Sequence, residues 1–344
     1  MKILNSAIIG AGSIAGSLHM SAHRKIEGSM LKWVCDTNAE AAKKFAEEHR
    51  IPNWTDQLDV VLSDPEVDWV DVVVPNRYHE AVTVKALEAG KHVLCQKPMA
   101  PTLEAAQRMM DAAGASGRNL GMFMCFRGDP ALRNVRRMIG EGVFGDIISL
   151  RGKMISGAGK NLKEGSWRME DASGALDLLG VHLIDLFIWL YSDVEWVQAY
   201  SDTLYAPMKG DDVTTAIYGL KDGVTAVLET TYCSYTYPGM SLYTLEINGT
   251  AGQAKYQMGT GDLELLLKED YESKDIVCKG GEPAQFKFDF ALKRGGALHN
   301  VHQDFVHAIQ RGEAFEADGM EGYKAIRIME ATRRAAKEHG RIEI

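Results

Sequence analysis

The 344-residue chain has little cysteine, no strongly basic stretch and no long apolar run. Its five cysteines are widely scattered and form no close pair of the metal-binding or redox type, so we expect buried, reduced thiols. The formal net charge of -9 argues against a nucleic-acid partner, because phosphate binding needs clustered lysine and arginine. The missing apolar run argues against a membrane protein.

The chain also lacks internal repeats, low-complexity segments and room for a signal peptide, since the first strand begins directly after Met1-Lys2-Ile3. We therefore expect a cytoplasmic protein whose partners are small molecules and its own copies. The length exceeds that of a typical single domain, and 46% hydrophobic residues can form substantial cores. Two domains are expected.

The most informative segment that is present is a glycine-rich turn between an apolar strand, residues 7–9, and a helix. A first glycine for a tight turn, a second that leaves room for a pyrophosphate and a small residue for close helix packing are typical of dinucleotide binding. The N-terminus of the following helix then presents free N–H groups to the phosphates. The predicted phosphate-binding residues are Gly10, Gly12, Ser13, Ile14 and Ala15.

Asp36 ends the second apolar run, about 20 residues beyond the glycines, where a carboxylate accepts both ribose hydroxyls of the adenosine half. Thr37 and Asn38 follow it, and no arginine stands beside it to neutralise a 2′-phosphate. The sequence therefore favours NAD over NADP.

The two parts of the chain have different patterns. Residues 1–125 alternate apolar strands with amphipathic helices, which predicts an α/β domain of the Rossmann type with a doubly wound parallel sheet. Residues 126–344 contain runs that alternate at a period of two, together with helices expected at 174–190, 303–310 and 319–339. They predict a substrate-binding and oligomerisation domain of α+β type, with a large, mostly antiparallel, open-faced sheet. Burying the open face against a second copy predicts a homodimer or homotetramer.

Two loops are expected at the carboxyl edge of the parallel sheet, where ligands bind in open α/β folds. One loop contains Pro75, Asn76 and His79, and the other contains Gln96 and Lys97. Both should line the nicotinamide half of the dinucleotide. Lys97 then places a cation close to the reacting carbon.

Several phrases of the sequence occur in the same order in one oxidoreductase family. They are the glycine-rich turn, Pro75-Asn76 with His79, AGKHVLCQKP at 89–98, Phe126-Arg127, Trp167-Arg168 and GVHLID at 180–185. Over essentially its whole length, the chain resembles the glucose-fructose oxidoreductase, inositol dehydrogenase and rhizopine-catabolism (Gfo/Idh/MocA) family of NAD(P)-dependent oxidoreductases.

The resemblance implies hydride transfer between the nicotinamide and a secondary hydroxyl of a sugar, glycoside or cyclitol. It implies that Lys97 hydrogen-bonds the reacting hydroxyl and that His182 is the general base. Histidine suits that role because its ordinary pKa lies near neutrality. Pro75, Asn76, His79 and Gln96 would contact the cofactor, and Arg127, Trp167 and Arg168 would shape the sugar pocket together with His182.

Two positions depart from the family pattern. Gln96 stands where the family usually has a glutamate before the Lys-Pro pair. Leu178 stands where the family has an aspartate that holds the histidine, whereas Asp177 lies five residues before His182 and about 140° away in a regular helix. Three explanations stay open: an irregular turn that brings Asp177 back, a substitute role for Asp185, or no such support.

Other functions share these residues. A redox-neutral glycoside cleavage through a 3-keto intermediate would use the same lysine and histidine, and a non-catalytic dinucleotide sensor would retain the fold. His299, His302 and His307 have helical spacing, but no carboxylate or cysteine lies at matching spacing, so no metal site is predicted.

Overall fold

The computed structural model describes residues 2–235, 242–288 and 296–344. Its helices, in chain order, are α1 (Met20–His23), α2 (Ala39–His49), α3 (Leu58–Ser63), α4 (His79–Glu88), α5 (Leu103–Ser116), α6 (Pro130–Gly140), α7 (Trp167–Glu170), α8 (Val181–Leu190), α9 (Gly296–Arg311) and α10 (Gly319–Glu338).

The strands, again in chain order, are β1 (Leu4–Ile9), β2 (Ser29–Cys35), β3 (Asn53–Thr55), β4 (Trp69–Val72), β5 (His92–Cys95), β6 (Leu120–Met122), β7 (Ile147–Ile155), β8 (Val194–Asp202), β9 (Val213–Leu220), β10 (Thr225–Thr231), β11 (Leu242–Gly249), β12 (Gly252–Met258), β13 (Asp262–Leu267), β14 (Tyr271–Glu272), β15 (Val277–Cys278), β16 (Pro283–Lys287) and β17 (Ile342–Glu343).

The chain forms two units. One comprises Met1–Gly128 with Ala291–Ile326, and the other comprises Asp129–Phe290 with Arg327–Ile344. The structure thus differs from a division with a single boundary after residue 125, because a later segment joins the first unit. This return could not be read from local sequence patterns, since it rests on contacts between residues that are far apart in the chain.

The first unit contains a six-stranded sheet in the order β3-β2-β1-β4-β5-β6, and all neighbouring strands are parallel. This confirms the predicted Rossmann sheet, because that strand order is typical of dinucleotide-binding domains. The order reverses where β1 lies beside β4, and ligands bind at such a switch point. β4 is buried along its whole length, as expected of a central strand covered on both faces.

Two of the helices around this sheet, α2 and α5, begin with a capping side chain. Asn38 accepts a hydrogen bond from Ala41 N at the start of α2, and Thr102 accepts one from Ala105 N at the start of α5. Gly117 ends α5 with a positive φ of 64°. These residues satisfy main-chain groups at the helix ends that have no partner within the helix.

The segment that returns to the first unit contains α9. The predicted helix at 303–310 is longer than expected and packs on α1 and on the turn Cys125–Gly128. Gln303 joins it to the main chain of Glu27, since Glu27 N donates to Gln303 Oε1 at 2.8 Å and Gln303 Nε2 donates to Glu27 O at 3.0 Å. Met122 N of the last parallel strand donates to Ala317 O at 2.6 Å.

The second unit contains a nine-stranded sheet in the order β16-β13-β12-β11-β7-β10-β9-β8-β17. Neighbouring strands are antiparallel except β7 and β10, which confirms the mostly antiparallel sheet. α8 packs on one face, against β7 and β10. Gly152 permits this close approach, because a Cβ there would lie 2.6 Å from a methyl group of Leu183.

The helix predicted at 174–190 is not regular. A π-helical turn, Leu176–Gly180, precedes α8, and Val181 N donates to Leu176 O five residues back. The same irregularity occurs in the first unit, where the π-helical turn Ala15–His19 precedes α1. Such turns insert one residue into a helix and frequently lie at functional sites.

All five cysteines are buried and none forms a disulfide, as expected from their spacing. Among the described helices, none is both long and apolar enough to cross a membrane.

Candidate active site

The glycine-rich turn has the geometry that its sequence predicts. Gly10 has a φ of 108°, and a Cβ there would lie 2.4 Å from Val73 O, so only glycine fits between β1 and the end of β4. A Cβ on Gly12 would meet no atom within 4 Å, which leaves the space in front of it open. Ser13 is exposed and Ile14 is half-buried at the start of the helix, whereas Ala15 is completely buried beneath it.

Asp36 lies at the end of β2 and is bound to this turn. Its Oδ2 accepts a hydrogen bond from Ala11 N at 2.8 Å, and its Oδ1 accepts one from Asn38 N at 2.9 Å. The half-buried carboxylate is therefore held at the switch point, and its remaining lone pairs can accept further donors.

Two loops follow β4 and β5 at the same edge of the sheet. Pro75 is half-buried and Asn76 is buried in the first loop, while Gln96 and Lys97 are half-buried in the second. The Lys97–Pro98 peptide bond is cis. The predicted cofactor residues of the first unit are thus brought together along one edge of the parallel sheet.

His79 joins these two loops from beneath. It is completely buried, with Nδ1 2.8 Å from Pro98 O and Nε2 2.9 Å from Val74 O. Burial lowers the pKa of His79, with Lys97 adding to the effect, so the imidazole is neutral near pH 7 and donates one N–H. Its contacts link the carboxyl ends of β4 and β5, and it exposes no surface of its own.

Gln96 connects the lysine loop with the helix that follows the glycine turn. Its Oε1 accepts a hydrogen bond from Lys97 N at 2.8 Å, and its Nε2 lies 3.0 Å from His19 Nε2. His19 in turn contacts Asp71 on β4 at 2.8 Å. The sequence analysis missed His19 and Asp71. A signal for the histidine was present, because His19 and a second histidine, His23, are four residues apart after the glycine turn, which is about one turn of a helix.

Arg127 lies at the end of the first unit's main segment and is buried. Its guanidinium donates to Glu321 Oε2 at 2.8 Å and contacts Glu316 O at 3.4 Å. Burial opposes ionisation of Glu321, but the hydrogen bond from Arg127 holds the pKa of that carboxyl below its usual value. The side chain predicted to contact substrate thus binds the returning segment of its own unit.

The second unit contains Trp167 and Arg168 on the short helix α7. The Arg168 guanidinium lies 4.6 Å above the centroid of the Trp167 ring. Arg168 Nε is buried and has no hydrogen-bond partner among the described residues. A buried donor of this kind needs an explanation, and a bound ligand is one.

His182 lies in the first turn of α8. In this helix, which the structure describes completely, every residue except His182 is buried. A histidine that only fills the core would be buried like its neighbours, so its partial exposure distinguishes it from them.

Asp177 lies in the π-helical turn before His182, so the 140° separation expected for a regular helix does not apply. Its carboxylate nevertheless has other partners, because Oδ2 accepts from Gly174 N at 2.9 Å and from Arg333. None of the hydrogen bonds that Asp177 forms with described residues goes to His182. Asp185, the other predicted support, is buried.

Asp211 anchors the start of the same turn. Its Oδ2 accepts hydrogen bonds from Leu176 N at 2.9 Å and from Thr214 Oγ1 at 2.8 Å. Burial and the nearby Asp177 raise the pKa of Asp211 above its ordinary value. The π-helical turn is thus held by two aspartates and Arg333, which sequence patterns did not reveal.

Two family models match the chain in succession. Residues 4–123 match the Gfo/Idh/MocA oxidoreductase family domain with an NAD-binding Rossmann fold, and residues 132–255 match the Gfo/Idh/MocA C-terminal domain. The chain belongs to the Gfo/Idh/MocA family of oxidoreductases. Its first unit therefore contains the family's NAD-binding domain, as the glycine turn and Asp36 predict.

Relatives within the family extend over most of the chain. Glucose-6-phosphate 3-dehydrogenase of Bacillus subtilis is 30% identical over 76% of this chain and 76% of its own length. Levoglucosan dehydrogenase of Pseudarthrobacter phenanthrenivorans is 28% identical over 98% of this chain and 97% of its own length. A solved structure of a levoglucosan dehydrogenase in complex with NADH has a TM-score of 0.89 at 23% identity and covers 99% of both chains, which shows the shared fold.

Proposed function

We propose that the protein is an NAD-dependent dehydrogenase that transfers a hydride between a secondary hydroxyl of a sugar, glycoside or cyclitol and the nicotinamide. The observation that carries this proposal is the carboxyl edge of the parallel sheet. There Asp36 is bound to the glycine turn, Gly12 faces open space, and Lys97 lies on the neighbouring strand-end loop. The names of two relatives, which act on glucose 6-phosphate and levoglucosan, support a carbohydrate substrate.

NAD is the preferred cofactor in this proposal. The Asp36 carboxylate would accept the two ribose hydroxyls and would repel the 2′-phosphate of NADP. The residues that follow it, Thr37 and Asn38, carry no positive charge that would offset this repulsion.

The proposed reaction needs a base for the hydroxyl proton and a group that stabilises the developing alkoxide. Lys97 would hydrogen-bond the reacting hydroxyl, and His182 would take its proton. Bound NAD⁺ would accept the hydride from the same carbon, so that the alcohol becomes a ketone. The partial exposure of His182 supports this role, since a base must reach the substrate.

Trp167 and Arg168 would bind the sugar ring. The aromatic face offers a flat apolar surface. Arg168 Nε, which has no hydrogen-bond partner among the described residues, offers a buried donor for a sugar oxygen. Arg127 has a weaker case as a substrate contact, because its guanidinium is paired with Glu321.

The test is the formation of NADH by purified protein with NAD and a panel of monosaccharides, glycosides and inositols, with NADP in parallel. Turnover with one substrate group, faster with NAD, is expected. NADP-preferring turnover would overturn the cofactor assignment. Aglycone release without net NADH would instead identify glycoside cleavage. Silence in both assays with NAD binding confirmed would favour a substrate outside the panel or a sensor.

We further propose a homodimer or homotetramer formed through the sheet of the second unit. α8 covers one face, and strand register places Tyr200, Ile217 and Leu242 on the other, where they are 54%, 43% and 41% exposed. A second copy would bury them. Light scattering after gel filtration should show an oligomer that Ile217→Arg dissociates; a wild-type monomer would contradict this.

A cytoplasmic location remains a prediction from the sequence.

A further inference from the structure

A buried cluster of three histidines around one carboxylate lies under the edge of the parallel sheet. Asp71 Oδ2 is 2.8 Å from His19 Nδ1, 2.9 Å from His23 Nε2 and 2.9 Å from His302 Nε2. Asp71, His19 and His302 are completely buried, and His23 is nearly so. The residues come from β4, from the helix after the glycine turn and from α9, all within the first unit.

The hydrogen bonds of Gln96 determine which nitrogen of His19 holds the proton. Lys97 N–H can only donate, so the atom of Gln96 that faces it is the carbonyl oxygen. The amide nitrogen of Gln96 then faces His19 and donates to Nε2. His19 Nε2 therefore accepts, and its proton lies on Nδ1, which donates to Asp71.

The charges of the cluster agree with this direction. Burial raises the pKa of Asp71, but the histidines around it outweigh burial and hold the pKa well below its ordinary value. Burial lowers the pKa of His19, and it lowers the pKa of His23 to about 4, so both rings are neutral donors. His302 joins the cluster from α9, with Nε2 2.9 Å from Asp71 Oδ2 and Nδ1 2.9 Å from Leu298 O.

We propose that Asp71, His19 and Gln96 are positioning residues that fix the main chain at Lys97. The ionised Asp71 orients His19, His19 orients Gln96, and Gln96 accepts the N–H of Lys97, so that the lysine side chain leaves the loop in one direction. This inference rests on the proposed role of Lys97 in the reaction. The bonds run in one direction, from Gln96 through His19 to Asp71, and hydrogen bonds in such a chain polarise and strengthen one another.

The proposal also explains why glutamine suits this chain at position 96. An ionised glutamate in its place could only accept, so His19 would need protons on both nitrogens to donate to that carboxylate and to Asp71 at once. Glutamine has one donor and one acceptor and keeps His19 neutral. The glutamine that departs from the family pattern is therefore the residue that a neutral His19 requires at position 96.

The cluster could also be read as a metal site, because His19, Asp71 and His302 offer ligand atoms within 4.8 Å of one another. A metal on His19 Nδ1 would displace the proton from that nitrogen while Nε2 accepts from Gln96, which would leave the ring as an imidazolate. The hydrogen bonds of Gln96 therefore oppose metal binding through His19. Stoichiometric metal in the purified wild-type protein would overturn the proposal.

The functional test uses two matched variants. In His19→Asn, the amide nitrogen can replace Nδ1 and still donate to Asp71, but the contact with Gln96 is lost. In His23→Gln, the amide nitrogen can replace Nε2 and also donate to Asp71, and the path to Lys97 stays intact. Both variants remove a buried ring, so they should lose similar thermal stability.

Only His19→Asn should lower kcat, by roughly tenfold or more, because small misplacements of a reacting group are costly. The Kd of NAD should change less than about twofold in both variants, because neither substitution alters the predicted phosphate and ribose contacts. Equal losses of kcat in both variants, or no loss in either, would contradict the proposal.

A second readout does not depend on activity. Nitrogen NMR of histidine-labelled full-length protein should show His19 protonated on Nδ1 and unprotonated on Nε2, and Gln96→Glu should convert it to the doubly protonated form. The opposite tautomer in the wild type would overturn the proposal. A protein that shows the expected tautomer but oxidises no substrate would instead contradict the proposed function alone.

Discussion

The two units prepare their functional residues in different ways. In the first unit, Asp36, His79 and Gln96 are held by hydrogen bonds to the main chain of neighbouring loops. In the second unit, His182 is the one partly exposed residue of an otherwise buried helix, and Arg168 has a buried nitrogen without a partner among described residues. The carboxyl edge of the parallel sheet is already arranged to bind a cofactor. A donor without a partner suits a substrate, because the substrate can supply the missing acceptor.

The largest effect is expected for Lys97→Ala in the first unit. Turnover should fall at least about 100-fold, the scale of losing one positioned acid-base or electrostatic group. Steady-state kinetics with the best substrate would measure it. The exposed Lys85, which pairs with Asp59, provides the control, since Lys85→Ala should leave turnover unchanged. Turnover of Lys97→Ala close to that of the wild type would remove Lys97 from the mechanism.

The next effect concerns the preformed edge itself. Asp36→Ala should weaken NAD binding by roughly 10- to 100-fold, the range for losing hydrogen bonds to a charged group. The thermal unfolding midpoint should stay near that of the wild type, because Asp36 is only half-buried. Calorimetry would measure the dissociation constants of NAD and NADP. An unchanged constant for NAD would contradict the assignment of the adenosine ribose to Asp36.

A smaller and different effect is expected in the second unit. Arg168→Lys should raise the KM for the sugar about tenfold, because lysine cannot reproduce the planar guanidinium over Trp167 or its buried Nε donor. The dissociation constant of NAD should not change, since the cofactor edge lies in the first unit. If both constants rise together, the proposed division of labour between the units is wrong.

Asp129 should affect stability but not activity. It begins α6, accepts the hydroxyl of Tyr256 at 2.5 Å, and burial raises its pKa from 3.8 to about 6. The folded protein then holds a proton that the unfolded chain has lost between those values. Its contribution to stability is present below about pH 4 and is lost as the pH rises through about 6.

The matching variant is Asp129→Asn, which cannot titrate and can still cap α6. The stability of the wild type relative to this variant should fall by roughly 3 kcal/mol as the pH rises from about 4 to about 7, at about 1.4 kcal/mol for each unit of pKa shift. Urea unfolding at several pH values would measure it. A difference that does not vary with pH would contradict the raised pKa.

Sequence reasoning succeeded where a function needs neighbouring residues of fixed type. The turn from Gly10 to Ala15 followed by Asp36 predicted an NAD-binding domain, because tight turns and phosphate contacts restrict the residues allowed there. Runs that alternate at a period of two likewise predicted the mostly antiparallel sheet.

The same reasoning failed where contacts join distant parts of the chain. An irregular turn before His182 was only one of three open explanations, since the bonds of Asp177 and Asp211 that hold the π-helical turn involve Arg333 and Thr214. The cluster around Asp71 was missed because its members lie at positions 19, 23, 71 and 302. His302 was noted only for its spacing within its own helix.

The sequence by itself determined the two kinds of sheet and the dinucleotide turn, because each follows from local periodicity or from steric limits at a few adjacent residues. The family was identified from the resemblance of motifs spread along the chain. Only the tertiary structure decided that α9 returns to the first unit, that Gln96 faces His19, and that three histidines contact the one buried carboxylate of Asp71. Burial and hydrogen-bond direction are properties of the packed chain, and residues far apart in sequence acquire them only when the fold brings them together.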